Sequence, residues 1–370
     1  MRVALLVLSD CLSGAEKRLV RIFLRVSCPG VEFRLVTNTT LLRLIHECPE
    51  FKEEIDAAER NGRVTAVNDL GKFAPAAILR TALGLRRKLK ADKVDYIHSA
   101  LMTTFPLASC LAWLGGKILF EVTSPKVAQK FSRPHRRWAA RRFDQFLFVT
   151  KTVRDAFQKA TAGTVLAKIK STTHSTAMFA PKAGEIPAVE FSAKKNAIVF
   201  ASRFIPRKNA LLFAGVARDF LKARPDWFVH MLGDGEEMPQ VSGLLEDGVA
   251  AGQVWIGRVS DPSRIFAESK IMASLISTDN FPSQSVLEGL AAGCAMLLSD
   301  RGESHKFLNG TNGFTVEPEH GTVLEKLLFM TSGDFDLEGA CAASRQHVQA
   351  AFGGPAYAEA LKSVYGQRSR

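Results

Sequence analysis

The strongest constraint on the fold is an alternation of short apolar runs with longer segments of helical periodicity. Five runs in the first half predict buried strands (VALLVL, FRLVTN, VDYIHS, ILFEV and QFLFVT), as do five in the second (AIVFAS, WFVHMLG, VWIG, IMASLIS and CAMLLSD). Segments between them, such as AEKRLVRIFLRV and NALLFAGVARDFLKA, repeat apolar residues with a period of about 3.6. This alternation predicts an α/β protein with doubly wound parallel sheets, because parallel neighbours are connected by crossover helices.

The chain length indicates more than one domain. At 370 residues it is too long for one ordinary domain and long enough for two. We expect two Rossmann-like domains facing across a cleft, over residues 1–183 and 184–352. The boundary falls in FAPKAGEIPAVEFSAKKN, which has turn and linker residues and little periodicity. An amphipathic helix over 353–370 is expected to pack back toward the N-terminal domain.

Several classes of protein are disfavoured by composition. No stretch of 18 residues is both apolar and uncharged, so no membrane-spanning helix is predicted, and MRVALLVLSD is interpreted as a buried strand rather than a signal peptide. The cysteines lack CxxC spacing and are expected to be reduced thiols of a cytoplasmic protein; they are Cys11, Cys28, Cys48, Cys110, Cys294 and Cys341. The Asp-x-Asp pattern at Asp334 and Asp336 is interpreted as helix capping, so no metal site is predicted.

Positive charge is concentrated in the first half of the chain. Residues 1–180 carry 30 Lys and Arg against 15 Asp and Glu, whereas 181–370 carry 19 against 22. The basic residues cluster in LRRKLK (85–90) and in KFSRPHRRWAARRF (130–143), the second with interspersed aromatic residues. Two such clusters favour an anionic membrane surface or a polyanionic acceptor over two solvated helix faces. Nucleic acid is disfavoured, because no nucleic-acid-binding motif accompanies the charge.

Polar and glycine residues follow the predicted strands of the second half. Arg203 ends the first of these strands, and Lys208 follows across a proline-containing corner before the next helix. Two cations beside helix-terminal N–H groups favour a diphosphate, although they could also be surface cations that cap a turn. Gly233-Asp234-Gly235 and Gly257-Arg258-Val259 follow two further strands, where glycine lets backbone approach a ligand closely.

The segment DNFPSQSVLEGLAAG (279–293) predicts a strand-to-helix corner that binds sugar hydroxyls. Pro282 suits the first turn of a helix, and the N–H groups of Ser283, Gln284 and Ser285 would then favour an anion. Glu288, about one turn later, can accept hydrogen bonds from two adjacent hydroxyls, as on a ribose. An unpaired carboxylate in this apolar setting would be costly. Asp279, before the corner, can contact a second sugar.

These motifs resemble the retaining glycosyltransferases of family 4 (group 1), which have the GT-B fold. The resemblance lies in Arg203…Lys208-Asn209, GDGEE, GRV, DNFPSQSVLEGLAAGCAMLLSD and NGTNGFTVEP, and more weakly in SGAEKRLVRIF, DYIHSA and RRFDQFLFVTKTVRDAF. It implies a nucleoside-diphosphate sugar as co-substrate, no metal or other cofactor, and a diphosphate held by Arg203 and Lys208. It further implies that Glu288 binds ribose and that Gly14 lets backbone approach the donor.

The sequence departs from the family at the sugar. Eight residues separate Asp279 from Glu288 where the family has seven, so either Asp279 or Asn280 could contact the donor sugar. FEVTSP offers Thr123 and Ser124 where the family often has a histidine. Glu16 and His98 are further candidates on the acceptor side, although for His98 a position in the core or behind the ligand-contacting residues is the favoured interpretation. The remaining predicted donor-binding residues are Gly233, Asp234, Gly235, Arg258, Val259, Phe281, Pro282, Ser283, Gln284 and Ser285.

The sequence thus predicts a retaining, metal-independent transferase of a sugar from UDP or GDP to a lipid-linked or polysaccharide acceptor. We expect it to act in bacterial cell-surface glycan synthesis, in the cytoplasm or at the inner face of the membrane. A sugar-nucleotide epimerase or a sugar phosphorylase would share this architecture. A two-domain binding protein without turnover is the alternative outside enzymes.

Overall fold

The computed structural model describes residues 1–70, 75–174, 179, 186–259 and 261–365. The chain forms two compact units, the first made of Met1–Ala180 with Gly354–Arg370 and the second of Pro181–Gly353. The predicted boundary at 183/184 lies outside the described residues. Each unit contains a sheet of parallel strands with helices along its chain, which confirms the predicted fold class.

The sheet of the first unit has seven strands in the order β3-β2-β1-β4-β5-β6-β7. Its strands are β1 (Arg2–Val7), β2 (Glu32–Asn38), β3 (Val64–Val67), β4 (Tyr96–Ser99), β5 (Ile118–Val122), β6 (Gln145–Phe148) and β7 (Lys170–Thr173). The helices are α1 (Gly14–Arg25), α2 (Thr39–Glu47), α3 (Lys52–Arg60), α4 (Pro75–Ala91), α5 (Phe105–Trp113), α6 (Pro125–Gln129), α7 (Pro134–Ala140), α8 (Lys151–Thr161) and, near the end of the chain, α16 (Gly354–Tyr365).

Both faces of this sheet are covered. Along β1, Ala4 and Leu6 belong to one apolar cluster, whereas Val3, Leu5 and Val7 belong to another, because side chains alternate along a strand. Five residues of α16 complete the second cluster, namely Tyr357, Ala358, Leu361, Val364 and Tyr365. The last described helix is therefore part of the core of the first unit.

The sheet of the second unit has six strands in the order β10-β9-β8-β11-β12-β13. Its strands are β8 (Lys195–Ala201), β9 (Phe228–Leu232), β10 (Val254–Gly257), β11 (Ser269–Ser274), β12 (Ala295–Ser299) and β13 (Gly313–Val316). The helices are α9 (Ala210–Ala223), α10 (Met238–Leu244), α11 (Glu246–Ala250), α12 (Ser263–Glu268), α13 (Gln284–Ala291), α14 (His320–Met330) and α15 (Leu337–Phe352).

The structure contains all ten predicted strands and three more, β3, β7 and β13, each at an edge of its sheet. The interpretation of the Asp-x-Asp pattern is confirmed, because the Asp336 carboxylate accepts a hydrogen bond from the Gly339 N–H at 2.9 Å at the start of α15. Three of the six cysteines are buried, two are half-buried and Cys11 is exposed. In the described part of the chain, no helix combines the length and apolar character needed to cross a membrane.

Candidate functional site

In the second unit, the loops that follow β8, β9 and β10 are joined by backbone hydrogen bonds. Phe204 N–H donates to the Asp234 carbonyl at 2.7 Å, and Gly233 N–H donates to the Gly257 carbonyl at 2.7 Å. These loops lie at the carboxyl ends of parallel strands, where ligands of open α/β sheets bind. The hydrogen bonds make the three loops one continuous edge.

Gly233 and Gly235 are required by contacts within this edge. A Cβ at Gly233 would overlap the carbonyl oxygen of Ser202, and one at Gly235 would overlap that of Phe204. These glycines therefore allow a close approach between neighbouring loops. Their approach to a ligand stays a prediction.

Three cations lie in the corner between β8 and α9. Arg203 and Arg207 are exposed and Lys208 is half-buried. Asn209, which has a left-handed backbone conformation with φ of 54°, ends the corner. Its side-chain N–H donates to the Leu275 carbonyl at 2.6 Å and so fastens the corner to the segment after β11. Arg203 and Lys208 were predicted from the sequence as candidate site residues, whereas Arg207 was not.

Lys208 is held by a neutral partner. Its Nζ donates to Asn280 Oδ1 at 3.3 Å, and Asn280 Nδ2 donates to Ser274 Oγ at 3.1 Å. Burial, together with the charges of Arg207 and Arg203, lowers the pKa of Lys208 from 10.5 to about 8. No carboxylate of the described residues appears among the influences on this pKa. A bound anion would compensate the cost of keeping this ammonium group charged.

Asp279 is turned away from this cluster. Its Oδ1 accepts hydrogen bonds from Phe281 N–H at 3.1 Å and Glu303 N–H at 3.2 Å, and its Oδ2 is buried. Gly302 packs against the carboxylate so closely that a Cβ would overlap it. Asp279 therefore closes the corner against the loop after β12. Of the two neighbours, Asn280 lies beside Lys208, and which of them contacts the donor sugar stays a prediction.

The start of α13 differs from the prediction for Pro282. The helix begins at Gln284 with Ser283 as N-cap, so Pro282 precedes it and is joined to Phe281 by a cis peptide bond. Ser283 makes no side-chain capping hydrogen bond, and its Oγ lies 3.3 Å from Ser285 Oγ. The first-turn N–H groups therefore begin at Gln284, and this positive helix end suits an anion.

Two further residues of this corner, Glu288 and Phe281, differ in how far they are buried. Glu288, in the second turn of α13, is half-buried rather than enclosed by apolar side chains. Phe281 is 5% exposed, and its ring packs 5.0 Å from that of Phe307 and 6.0 Å from that of Phe352, between centroids. Its side chain is therefore part of the core, and its role in donor binding stays a prediction.

The loop after β9 faces solvent beside the loop after β10. Asp234 Oδ2 lies 3.7 Å from Arg258 Nη1, and both side chains are exposed. Val259 is half-buried. The predicted donor-binding residues of these two loops thus remain accessible on the same edge.

In the first unit, Gly14 is exposed at the first turn of α1, with no heavy atom within 4 Å of a Cβ placed there. Its approach to the donor stays a prediction. Glu16 is 6% exposed and accepts hydrogen bonds from the N–H and hydroxyl groups of Ser13, so it caps α1, and its acceptor-side role stays a prediction. Ser124 caps α6 by accepting a backbone N–H at 3.2 Å, and Thr123 is half-buried.

His98 belongs to a buried polar cluster that the sequence analysis did not find. It is 2% exposed, with Nδ1 2.8 Å from the Tyr365 hydroxyl and Nε2 3.5 Å from Glu121 Oε2. Glu121 also accepts hydrogen bonds from Arg18 at 3.0 and 2.6 Å, and its Oε1 lies 3.0 Å from His174 Nε2. Burial opposes ionisation of Glu121, but Arg18 and both histidines hold its pKa well below the usual value. His98 is thus a core residue, and its role on the acceptor side stays a prediction.

Comparison with known proteins finds a family match in the second unit and similar solved structures. Residues 195–329 match the family described as "Glycosyl transferases group 1". No curated protein matches the chain in sequence. A glycosyltransferase from Rickettsia africae has a similar structure, with 17% identity and a TM-score of 0.66 over 100% of this chain and 99% of that one.

Two further structures share the fold. The Anabaena protein HepE, solved with UDP and glucose, is 13% identical with a TM-score of 0.65 over 99% of both chains. The lipopolysaccharide outer core galactosyltransferase WaaB is 13% identical with a TM-score of 0.64 over 99% of this chain and 100% of that one. At such identities the likeness shows the fold, which is the GT-B fold of glycosyltransferases.

Proposed function

We propose that this protein is a glycosyltransferase of the group 1 type that transfers a sugar from a nucleoside diphosphate to an acceptor hydroxyl with retention of configuration. The observation that carries the proposal is Lys208, a half-buried cation with a neutral hydrogen-bond partner, in the corner after β8 that also carries Arg203 and Arg207. The match of residues 195–329 to the group 1 family supports it. HepE, which has the same fold, was solved with UDP and glucose.

In the proposed reaction the bond between the anomeric carbon and the diphosphate oxygen breaks as the acceptor oxygen bonds to the same face of that carbon. The acceptor proton passes to the departing phosphate oxygen. Negative charge grows on the diphosphate as the bond breaks, and Arg203, Lys208 and the N–H groups at the start of α13 stabilise it. A positioned donor of this kind contributes roughly 3 kcal/mol to the transition state.

The neighbouring residues orient the donor in this proposal. Asn280 holds the ammonium group of Lys208 and presents its amide to the sugar. Glu288, half-buried in the second turn of α13, accepts the ribose hydroxyls.

We also propose that turnover needs no metal ion, because the cations of the corner carry out the charge stabilisation that a metal supplies elsewhere. Equal rates with and without EDTA would support this, and a loss of turnover that added Mg²⁺ or Mn²⁺ restores would contradict it.

The acceptor is proposed to be a lipid-linked or polysaccharide glycan of the bacterial cell surface. The excess of Lys and Arg in residues 1–180 suits an anionic acceptor or the anionic inner face of a membrane. WaaB, which has the same fold, is a lipopolysaccharide outer core galactosyltransferase. We therefore propose a cytoplasmic enzyme that associates peripherally with that face.

Titration with nucleotides tests the donor site. UDP, GDP, ADP and CMP are each titrated into the protein by calorimetry, and we expect one diphosphate to bind much more tightly than the others. Lys208→Ala should weaken that binding by roughly 10- to 100-fold, because it removes a charge-assisted hydrogen bond. Lys222→Ala, at an exposed position of α9, is the matched control.

Other outcomes separate the rival functions. Binding of none of the four nucleotides, or equal binding by Lys208→Ala, would refute the donor site. Binding without nucleotide release in the presence of an acceptor extract would indicate a binding protein. Interconversion of the nucleotide sugar without an acceptor would indicate an epimerase, and release of a sugar phosphate from a glycoside and phosphate would indicate a phosphorylase.

A further inference from the structure

An apolar groove lies between α4, α5 and α7 in the first unit. Its volume is about 560 Å³, which falls in the range of roughly 300–1,000 Å³ that small-molecule sites occupy. Leu79 of α4, Phe105 and Trp113 of α5 and Trp138 of α7 line it. Leu79 is 50% exposed and Trp138 is 58% exposed. Large apolar side chains are thus exposed on two helices that face one groove.

The two tryptophans form a fixed wall. Their rings are stacked, with centroids 4.8 Å apart and planes 24° apart. Arg141 lies 4.5 Å and Arg142 lies 4.7 Å from the centroid of Trp113, so both cations cover that ring. Of the aromatic residues in the basic cluster 130–143, Phe131 and Phe143 are buried and only Trp138 faces outward. The cluster therefore contributes Trp138 and Arg136 to the lining of the groove.

No acidic side chain is among the described residues that line the groove. Between Asp95 and Asp144 the sequence has one acidic residue, Glu121, which is buried. Arg136 lines the groove, and its Nη1 is buried without a hydrogen-bond partner. Burial and the nearby Arg133 lower the pKa of this guanidinium. Such a group is stabilised by an anion placed next to it.

The groove continues toward the carboxyl edge of the sheet. It shares Met102 and Pro106 with a second cavity of about 220 Å³. That cavity is lined by polar residues at or after the ends of β1 and β2, among them Ser9, Asp10 and Asn38. An elongated ligand could therefore place an apolar part in the groove and a polar part where ligands of parallel sheets bind.

We propose that this groove binds the hydrocarbon chain of a phosphate-bearing lipid, with the phosphate at Arg136. In this proposal the lipid is the acceptor of the sugar, so the identification of the acceptor rests on the proposed function. An apolar floor with a cationic rim is complementary to an amphiphile that has an apolar chain and an anionic head. A second copy of this chain is a poor occupant, because a symmetric contact would place the same cations opposite one another.

The test uses monomeric n-dodecyl phosphate, titrated below its critical micelle concentration into the full chain by calorimetry. We expect one molecule to bind per chain. Dodecyl maltoside, which has the chain without the charge, and inorganic phosphate, which has the charge without the chain, should each bind at least tenfold more weakly. Shortening the chain from dodecyl to octyl should weaken binding by up to roughly fourfold for each buried methylene lost.

Two variants test the residues. Leu79→Glu places a carboxylate in the groove, and Arg136→Ala removes the cation without breaking a hydrogen bond of the unpartnered Nη1. Each should weaken dodecyl phosphate binding at least tenfold. Val249→Glu, at a position 46% exposed in the second unit, and Arg218→Ala, an exposed arginine of the same unit, should leave it unchanged.

The results separate this proposal from its rivals and from the proposed function. Equal binding of dodecyl maltoside, or unchanged binding by both variants, would overturn it. Binding only to vesicles of anionic lipid would also overturn it, because that result indicates a membrane-surface patch. A dimer that Leu79→Glu dissociates would overturn it as well, because the groove would then be an interface between two copies of the chain. Nucleotide titration of the variants is the independent readout. If dodecyl phosphate binds while no nucleotide does, the groove stands and the proposed function fails.

Discussion

Donor binding should weaken as Lys208 loses its proton. Burial and two neighbouring arginines place the pKa of this ammonium group at about 8, within a range that ordinary buffers cover. A bound diphosphate raises that pKa, because an opposite charge favours the protonated form. Affinity should therefore be constant below the pKa of the free protein and should decrease as the pH rises through it.

The size of the effect follows from the protonated fraction. With a pKa of about 8, Lys208 is about 90% protonated at pH 7 and about 10% protonated at pH 9. If only the protonated form binds the diphosphate well, the association constant falls about tenfold over this interval, or about 1.4 kcal/mol. At pH 8, binding should take up about half a proton per donor molecule.

The assay is calorimetric titration with a nucleotide sugar in the absence of acceptor, from pH 7 to 9. A nucleotide sugar is preferred to a free diphosphate, because it has no terminal phosphate that titrates near neutrality. Proton uptake at pH 8 is measured from the difference in heat between two buffers of different ionisation enthalpy. Lys208→Arg is the control, since arginine stays protonated throughout this range.

A flat profile for Lys208→Arg beside a falling one for the unmodified protein would support the reasoning. If the nucleobase of the ligand itself titrates in this range, its effect appears equally in both proteins, so the comparison between them removes it. Constant affinity of the unmodified protein from pH 7 to 9 would refute the role of Lys208. An equal decrease in Lys208→Arg would assign the titration to another group.

The remaining predictions concern stability. Gly302→Ala should destabilise the protein by roughly 2 kcal/mol and lower its Tm, because the residue has φ of 57° and a Cβ would overlap the Asp279 carboxylate. The control is Gly243→Ala, at a helical position with open space around it, which should not lower the Tm. Glu121→Gln should lower the free energy of unfolding measured in urea by roughly 3–5 kcal/mol, because it leaves the buried Arg18 without a charged partner. Glu317→Gln, which breaks an exposed ion pair with Arg301, should leave the urea midpoint unchanged. Asp336→Ala should cost about 1 kcal/mol through loss of the cap, and an unchanged unfolding midpoint would contradict that role.

The central strands could be predicted from the sequence, whereas three of the edge strands could not. Central strands such as β1 and β12 are buried on both faces, so they appear as unbroken apolar runs. β3, β7 and β13 have four residues each and include half-buried ones, so their sequences (VTAV, KSTT and GFTV) lack such a run. Their pairing depends on a neighbouring strand that is distant in sequence.

The site was predicted where local sequence determines position, as at Lys208 in its strand-to-helix corner. It was not predicted where tertiary contacts decide between neighbours. Asp279 and Asn280 are adjacent, and the loop at 302–303 determines that the acid faces backbone and the amide faces Lys208. The polar cluster of the first unit left one signal, Glu121 inside the run ILFEV, because a charge within a buried strand requires a partner.

The return of α16 to the first unit has a consequence for biosynthesis. The hydroxyl of Tyr365 touches His98, and four other residues of this helix fill the same core, so the first unit is assembled from segments that lie far apart in the chain. At a translation rate of roughly 5–20 residues per second, α16 emerges from the ribosome roughly 10–40 s after the first unit's strands. During that interval the nascent chain exposes the apolar surface that α16 later covers. A chaperone bound there would have to leave before the helix docks, and a premature stop codon after the second unit would leave that surface permanently exposed.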